Sequence, residues 1–267
     1  MLTRIIVGLL LIVILAALLY FGGIFQSVVY SLAAVLSVFE MGYVMRAKGY
    51  RPLLPAVYLF AASFFAVNEY FGTSAMLFLL SLCVVFTIAV KILNKKSSAE
   101  DCFFALFTFI YPMLFYVFLM LVSTIQERAL RLTATLIMFA GPLMGDTMAY
   151  FVGVLFGRHK LCPDISPKKT IEGGIAGVFG GLLGGLLVFI LQDSWNGTVS
   201  VIHLSLIGLL CGFLGQVGDL FASSIKRWAG VKDFGSIFPG HGGVMDRLDS
   251  VLFCAPVIFV YFFVIYM

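Results

Sequence analysis

Nine long apolar runs limit the folds that this chain can adopt. They lie near residues 4–22, 24–45, 52–70, 73–93, 102–122, 132–152, 174–192, 200–225 and 248–266. Each approaches the length of about 20 residues that an α-helix needs to cross a bilayer. The runs are continuously apolar and do not alternate as the strands of a membrane barrel do. We therefore predict an all-α, polytopic integral membrane protein with about nine transmembrane helices and short loops.

Composition argues against a soluble globule. Hydrophobic residues make up 62% of the 267 residues and charged residues only 11%, which is too little polar surface to cover a water-exposed fold. A cleaved signal peptide is the alternative for the first run, because Arg4 precedes it. That run continues to Tyr20 and Phe21 without a small-residue cleavage motif. We therefore expect a retained helix.

The basic residues divide unequally between the two sides of the predicted helices. Nine crossings place 15 of the 17 Lys and Arg residues, Arg4 and Lys95 among them, with the N-terminus and the even-numbered connections. Only Arg128 and Arg131 lie on the opposite side. Positive residues collect on the cytosolic side of membrane proteins. This pattern indicates that the charged loops face the cytosol.

The first five runs carry few polar groups. Glu40 and Glu69 lie near predicted helix ends, where a carboxylate normally reaches water at the membrane interface. We expect substitution of either residue to leave function largely intact. Residues 1–131 are therefore predicted to be a scaffold and lipid-facing region, and residues 132–267 to carry the functional site.

The sixth run places an acid on a face of small and aromatic residues. Asp146, Tyr150, Gly153 and Gly157 recur at helical spacing. An Asp in mid-bilayer costs roughly 2.5–3.5 kcal/mol even on mild insertion scales, so Asp146 is expected to face protein or water. The next connection, GRHKLCPDISPKKTIEGG, is basic and contains two prolines that forbid a continuous helix. The seventh run opens with a ridge of small residues that favours close helix packing, formed by Gly173, Gly177 and Gly181.

Charge is concentrated between residues 215 and 250, GQVGDLFASSIKRWAGVKDFGSIFPGHGGVMDRLDS. Asp219 precedes the end of the eighth run by about six residues, roughly 9 Å along a helix. Ser223, Lys226 and Arg227 share its face. A partly buried salt bridge from Asp219 to Lys226 or Arg227 is one interpretation. A metal-binding carboxylate beside a phosphate-binding cluster is the other.

The start of the ninth run favours the second interpretation. Asp246, Asp249 and Ser250 share one helix face, and either acid alone would be explained as an N-terminal cap. Two acids with a third inside the membrane boundary, interleaved with four basic residues, exceed what capping requires. Oxygen ligands of this kind suit Mg²⁺, and the turn PGHGG offers backbone N–H groups for an anion. The sequence therefore predicts a nucleoside-triphosphate site with Mg²⁺ at the cytosolic membrane boundary.

Two segments resemble a known family. SSIKRWAGVKDFGSIFPGHGGVMDRLDS resembles the signature of phosphatidate cytidylyltransferases, also called CDP-diacylglycerol synthases. The matching residues are Ser224, Lys226, Arg227, Lys232, Asp233, Gly235, Pro239, Gly240, His241, Gly242, Gly243, Asp246, Arg247 and Asp249. GDTMAYFVGVLFGRHKLCPDISPKKTIEG is similar to a second region of that family. Its matching residues are Asp146, Ala149, Tyr150, Gly153, Gly157, Lys160, Ser166, Pro167, Lys169, Thr170 and Glu172.

The resemblance implies a Mg²⁺-dependent enzyme that transfers a cytidylyl group from CTP to phosphatidic acid of the membrane leaflet. Its products are CDP-diacylglycerol, a phospholipid precursor, and pyrophosphate. The expected Mg²⁺ ligands are Asp219, Asp246 and Asp249, which with Lys226 and Arg227 are the expected catalytic residues. The expected substrate-binding residues are Asp146, Lys160, Ser166, Lys169, Ser223, Lys232, Gly240, His241, Gly242, Gly243 and Arg247.

Further expectations concern location and partners. We expect the protein in a bacterial inner membrane with its active site facing the cytosol, without nucleic-acid partners, and a homodimer is left open. Two alternatives remain for the function. One is a CTP-dependent lipid-alcohol kinase of the dolichol or phytol kinase type, in which an alcohol attacks the γ-phosphorus. The other is a transporter whose intramembrane acids carry ions.

Overall fold

The computed structural model describes residues 2–94 and 96–266, with side chains from residue 6 onward. Its elements are α1 (Leu2–Phe21), α2 (Gly23–Ala47), α3 (Pro55–Leu93), α4 (Ala99–Thr108), α5 (Phe115–Ser123), α6 (Arg128–Phe156), β1 (Lys160–Cys162), β2 (Ser166–Thr170), α7 (Ile171–Gln192), α8 (Val201–Ala229) and α9 (Met245–Tyr266). A π-helical turn, Phe109–Leu114, joins α4 to α5, and a 3₁₀ turn, Asp193–Trp195, follows α7. The Arg4 side chain and all of Lys95 lie outside the described residues.

Seven helices of the described chain are long and apolar enough to cross a membrane. They are Gly23–Ala47, Pro55–Leu93, Ala99–Ser123, Arg128–Phe156, Ile171–Trp195, Val201–Ala229 and Met245–Tyr266. The prediction of an all-α, polytopic membrane protein is confirmed. The count of nine stays a prediction, since Ile6–Phe21 is a shorter apolar helix and α3 runs for 39 residues through two predicted crossings. Gly72, with φ 83° and ψ 171°, interrupts the helical backbone between those two crossings.

Glycines end two of the helices that carry charged loops. The N–H of Tyr50 donates to the carbonyl of Met45, and the N–H of Val231 donates to the carbonyl of Lys226. Both bonds span five residues around a glycine with positive φ, Gly49 at +98° and Gly230 at +74°. This is the Schellman pattern, in which glycine adopts the left-handed conformation at no steric cost. In α8 it ends the helix at Ala229, two residues after Arg227, and turns the chain into the segment 231–244.

A short β-hairpin occupies the basic connection after α6, for which the sequence excluded only a continuous helix. Strand β1 pairs antiparallel with β2, with Lys160 opposite Thr170 and Cys162 opposite Ser166. The N–H of Ile165 donates to the carbonyl of Cys162 at 3.2 Å, which closes a β-turn with Pro163 at its second position. Proline favours that position because its ring presets φ. The hairpin gives the lysines of this connection defined places.

Contacts divide the chain into two compact units. Unit 1 comprises residues 1–14, 23–120 and 226–247, and unit 2 comprises residues 15–22, 121–225 and 248–267. The core of unit 1 includes the fully buried side chains of Met41, Phe60, Phe64 and Tyr116. The hydroxyl groups of Tyr116 and Ser37 share a 2.7 Å hydrogen bond inside it. The predicted division of roles between residues 1–131 and 132–267 stays a prediction.

Helices α6, α7 and α8 of unit 2 approach one another through glycines. A methyl carbon added to Gly181 of α7 would lie 2.7 Å from the Cα atom of Gly212 on α8. One added to Gly184 would lie 2.8 Å from the carbonyl oxygen of Ala140 on α6. Backbones can approach this closely only where side chains are missing. The predicted small-residue ridge on α7 is confirmed.

We expect Gly181→Ala to lower the thermal unfolding midpoint of the detergent-solubilised protein. The added methyl group has to separate α7 from α8, and overpacking of this kind costs roughly 1–3 kcal/mol. Gly8→Ala is the matched control, because no described atom lies within 4 Å of a methyl carbon added there. Equal midpoints for the two variants would contradict this account of the packing.

Candidate active site

A buried ion pair lies in the charged segment of unit 1. The Nζ atom of Lys226 is 2.6 Å from Oδ1 of Asp246, and the two side chains are only 9% and 3% exposed. The other carboxylate oxygen, Oδ2, accepts hydrogen bonds from the N–H groups of Phe234 at 2.8 Å and Gly243 at 2.9 Å. The Lys226 ammonium also lies 5.3 Å from the centre of the Phe234 ring. Asp246 therefore joins the end of α8, the loop and the start of α9.

The PGHGG segment forms a tight turn. The N–H of His241 donates to the carbonyl of Phe238 at 2.8 Å. Pro239 and Gly240 occupy the two central positions, and Gly240 has a φ of +79°, as a type II turn requires. The N–H of His241 is used within this turn, and that of Gly243 is used by Asp246. An anion-binding role for this turn stays a prediction.

The structure corrects the expectation for Glu40. The residue is 1% exposed and does not reach water. Its two carboxylate oxygens accept hydrogen bonds from the N–H groups of Val244 and Met245, both at 2.8 Å. Burial of a carboxylate is tolerated here because it receives hydrogen bonds at the start of a helix, where N–H groups lack partners. Glu69 is exposed, as predicted.

A second ion pair lies in unit 2. The Nζ atom of Lys169, on β2, is 2.5 Å from Oδ2 of Asp219 on α8, and the side chains are 23% and 31% exposed. The hydroxyl of Ser223, one turn further along α8, is 3.5 Å from Oδ1 of Asp219. The salt bridge considered from the sequence is thus replaced by two others. Asp219 pairs with Lys169, and Lys226 pairs with Asp246.

A cavity of about 390 Å³ opens beside β2 in unit 2. Asp146 and Tyr150 of α6, Lys160 of β1, Lys169 of β2 and Gln216 of α8 are among the residues that line it. Three of the predicted site residues, Asp146, Lys160 and Lys169, therefore share this cavity. Lysines lie at one end of the cavity, and its wall on α6 carries the exposed side chains of Tyr150 and Val154 beside Asp146.

Local contacts hold the hairpin at the cavity. The Thr170 hydroxyl accepts the N–H of Gly173 and so caps α7. The Glu172 carboxylate accepts the N–H groups of Arg158 and His159 and lies 2.6 Å from Nδ1 of His159. Sequence reasoning assigned no role to Thr170, although Thr before a helix is a known capping signal.

The remaining predicted residues differ in exposure. The exposed ones are Asp146, Lys160, Arg227, Lys232, Gly240 and Arg247. The partly exposed ones are Ser166, Lys169, Asp219, Ser223, His241 and Gly242. Lys226, Gly243, Asp246 and Asp249 are buried. Oδ1 of Asp249 accepts the N–H of Ser250 at 2.8 Å. The site roles of these residues stay predictions.

The carboxylates suit a cation. Within the described residues, no group of three or more His, Cys, Asp or Glu side chains is placed to hold a metal ion. Asp219 and Asp246 nevertheless each contact one ammonium group, at 2.5 and 2.6 Å. Carboxylate oxygens are also the ligands that Mg²⁺ prefers. Mg²⁺ binding stays a prediction, and Asp219 makes fewer polar contacts within the described chain than Asp246, which also accepts two backbone N–H groups.

Comparison with known proteins assigns the family. A model of the cytidylyltransferase family matches residues 2–265. The chain belongs to this family. Curated relatives bear the name phosphatidate cytidylyltransferase. The one from Bacillus subtilis is 37% identical over 212 residues, which cover 79% of this chain and 73% of the relative.

Two further relatives with the same name match shorter stretches. The Aquifex aeolicus protein is 38% identical over 165 residues, 62% of this chain and 59% of the relative. The Synechocystis protein is 47% identical over 136 residues, 50% of this chain and 44% of the relative. Membership of the cytidylyltransferase family confirms the resemblance drawn from the two sequence segments.

We expect Lys226→Met to destabilise the protein far more than Arg227→Met. Removing Lys226 leaves the Asp246 carboxylate buried beside two N–H groups alone, and breaking a buried ion pair costs roughly 3–5 kcal/mol. Arg227 is exposed, so it serves as the matched control. The thermal unfolding midpoint in detergent is measured for both single variants. The double variant Lys226→Met with Asp246→Asn should recover part of the stability that Lys226→Met loses. Similar midpoints for the two single variants would show that the pair does not stabilise the loop.

Proposed function

We propose that this protein transfers a cytidylyl group from CTP to phosphatidic acid, forming CDP-diacylglycerol and pyrophosphate. Its reaction is that of a phosphatidate cytidylyltransferase, a nucleotidyltransferase of phospholipid biosynthesis. The observation that carries this function is the match of the cytidylyltransferase family to residues 2–265. The apolar helices support it, because phosphatidic acid resides in the bilayer.

The chemistry makes modest demands on side chains. A phosphate oxygen of the lipid attacks the α-phosphorus of CTP, and the bond from that phosphorus to the oxygen bridging the β-phosphate breaks. Pyrophosphate leaves with the bonding electrons. A phosphomonoester has a second pKa of about 6, so the attacking oxygen is already anionic and needs no strong base. The main requirement is to bring two polyanions together, which positioning and charge neutralisation achieve.

Basic residues of unit 1 are assigned to phosphate groups. Lys226 is held in one place by Asp246, so its ammonium is oriented before substrate arrives. Arg227, Lys232 and Arg247 are exposed and can move to meet phosphate oxygens. A fixed ammonium with exposed basic side chains on the same segment suits a polyphosphate, since preorganised charge stabilises a transition state most effectively.

The cavity of unit 2 is assigned to the lipid. Its wall on α6 includes Tyr150 and Val154, which are 66% and 67% exposed and offer an apolar surface for acyl chains. Its basic end includes Lys160 and Lys169, which can hold the phosphate. A volume of about 390 Å³ is within the usual range for small-molecule sites, about 300–1,000 Å³. This arrangement supports entry of the headgroup sideways from the leaflet.

Asp219, Asp246 and Asp249 are the proposed Mg²⁺ ligands. When bound, Mg²⁺ supplies positive charge that stabilises the departing pyrophosphate. Each of Asp219 and Asp246 contacts one lysine, Lys169 and Lys226 respectively, and this contact orients the carboxylate.

Orientation is part of the proposal. The active site faces the cytosol of a bacterial inner membrane, as the excess of Lys and Arg on one side of the predicted crossings supports. CTP is a cytosolic metabolite, so this orientation gives it direct access. A homodimer stays a prediction.

Isotope transfer distinguishes the reaction from its alternatives. Purified protein is incubated with phosphatidic acid or diacylglycerol, Mg²⁺, and CTP labelled at either the α- or the γ-phosphate. We expect lipid to acquire the α label only with phosphatidic acid, while the γ label appears in pyrophosphate. Transfer of the γ label to lipid would instead identify a lipid-alcohol kinase. Solute flux without label transfer would identify a transporter.

Neutralising the carboxylates tests the site. We expect Asp219→Asn and Asp246→Asn each to abolish turnover while the protein still inserts, because each change removes a proposed Mg²⁺ ligand. Glu69→Gln is the control, as it makes the same charge change at an exposed position and should keep full activity. The metal assignment fails if both Asp variants turn over normally at saturating Mg²⁺.

A further inference from the structure

Glu40 joins two parts of unit 1 that lie far apart in the chain. It belongs to α2, and the N–H groups that donate to it follow 204 and 205 residues later. The second of these residues, Met245, is the first residue of α9. The first N–H groups of a helix have no partner within the helix. Glu40 supplies the acceptors that this helix start requires.

The loop is shaped around the Glu40 carboxyl group. A methyl carbon added to Gly235 would lie 2.7 Å from Oε1 of Glu40, and one added to Gly243 would overlap the same carboxyl group. Gly235 and Gly243, the two ends of the segment 235–243, therefore pack directly on Glu40. A larger side chain at either glycine would displace the carboxylate or the loop.

The same loop residues hold the Lys226–Asp246 pair. The N–H of Gly243 donates to Asp246, while the next two N–H groups, those of Val244 and Met245, donate to Glu40. Three successive N–H groups thus point at two carboxylates. Two carboxylates close together repel each other and are costly to bury. The positive end of α9 and the Lys226 ammonium offset that cost.

We infer that Glu40 is a positioning residue, which anchors residues 235–245 so that Asp246 is held opposite Lys226. Its effect on catalysis rests on the proposed function, whereas its anchoring of the loop does not. Glu40 does not touch the reacting groups in this account. It acts through Asp246, whose backbone neighbours it holds.

The first test measures anchoring directly. Amide hydrogen exchange is followed by mass spectrometry in a peptide covering residues 234–247, in the wild type, Glu40→Gln and Glu69→Gln. We expect amide exchange in this peptide to be about tenfold faster, or more, in Glu40→Gln than in the wild type, because hydrogen bonds to a charged acceptor are lost. Glu69→Gln should exchange at the wild-type rate. Unchanged exchange in Glu40→Gln would overturn the inference, whatever the enzyme's activity.

The second test separates positioning from loss of folded protein. A folding defect lowers kcat by reducing the active fraction and leaves KM for CTP and the half-saturating Mg²⁺ concentration unchanged. If Glu40→Gln misplaces Lys226 and Asp246, both the KM for CTP and the half-saturating Mg²⁺ concentration should shift by severalfold or more. Lys226 is assigned to a phosphate group and Asp246 to the cation. Loss of kcat alone, with both concentrations unchanged, would overturn the positioning role.

A variant on the loop side covers the case in which Glu40→Gln does not fold. Gly235→Ala keeps the charge of Glu40 but places a methyl group against its carboxyl oxygen. We expect the same faster exchange in residues 234–247 and the same shift in substrate and Mg²⁺ dependence. Wild-type exchange and kinetics in Gly235→Ala would contradict the inference. If the wild type makes no CDP-lipid, the proposed function fails while the exchange data still decide the anchoring.

Discussion

Compensation of buried charge is the constraint on which the rest of this structure depends. The chain is overwhelmingly apolar, and an unpaired charge inside it would cost many kcal/mol. Buried Asp246 therefore has Lys226 and two N–H groups, and buried Glu40 has the N–H groups at the start of α9. The partly exposed Asp219 pairs with Lys169. Each of these contacts joins a carboxylate to a partner in another segment, so the polar contacts determine the positions of the loops.

Close helix packing provides the second half of the architecture. The glycines of α7 allow α6 and α8 to approach at backbone distance, and the hairpin stands at the α7 N-terminus through the Thr170 cap. The cavity lies where this packing gives way to the hairpin. Helical residues on one side of the cavity therefore face the short, basic β1–β2 hairpin on the other. That combination suits a substrate with an apolar tail and an anionic head.

Sequence predicted the features that depend on local pattern. Apolar runs located the helices, small residues located the α7 ridge, and the two segments with family resemblance located the acids and lysines. The pairing of those charges was not predictable, because helical spacing on α8 offered Lys226 or Arg227 to Asp219, whereas its partner in the structure is Lys169 on β2. The hairpin was missed because two prolines in a basic connection indicate a loop as readily as a turn between short strands. Glu40 was misjudged since its partners are backbone N–H groups some 200 residues away, and backbone groups leave no trace in the sequence.

The distance in sequence between Glu40 and its partners also orders the biogenesis of the protein. At roughly 5–20 residues per second, a ribosome completes α2 on the order of 10–40 seconds before Val244 emerges. Throughout that interval Glu40 is an acid in an apolar helix, and the two N–H groups that donate to its carboxylate have not yet been made. The segment that leads into α9 therefore supplies the hydrogen bonds that a much earlier helix requires. Synthesis of Val244 and Met245 completes the hydrogen bonds to Glu40, so a chain truncated before α9 retains an unsatisfied carboxylate.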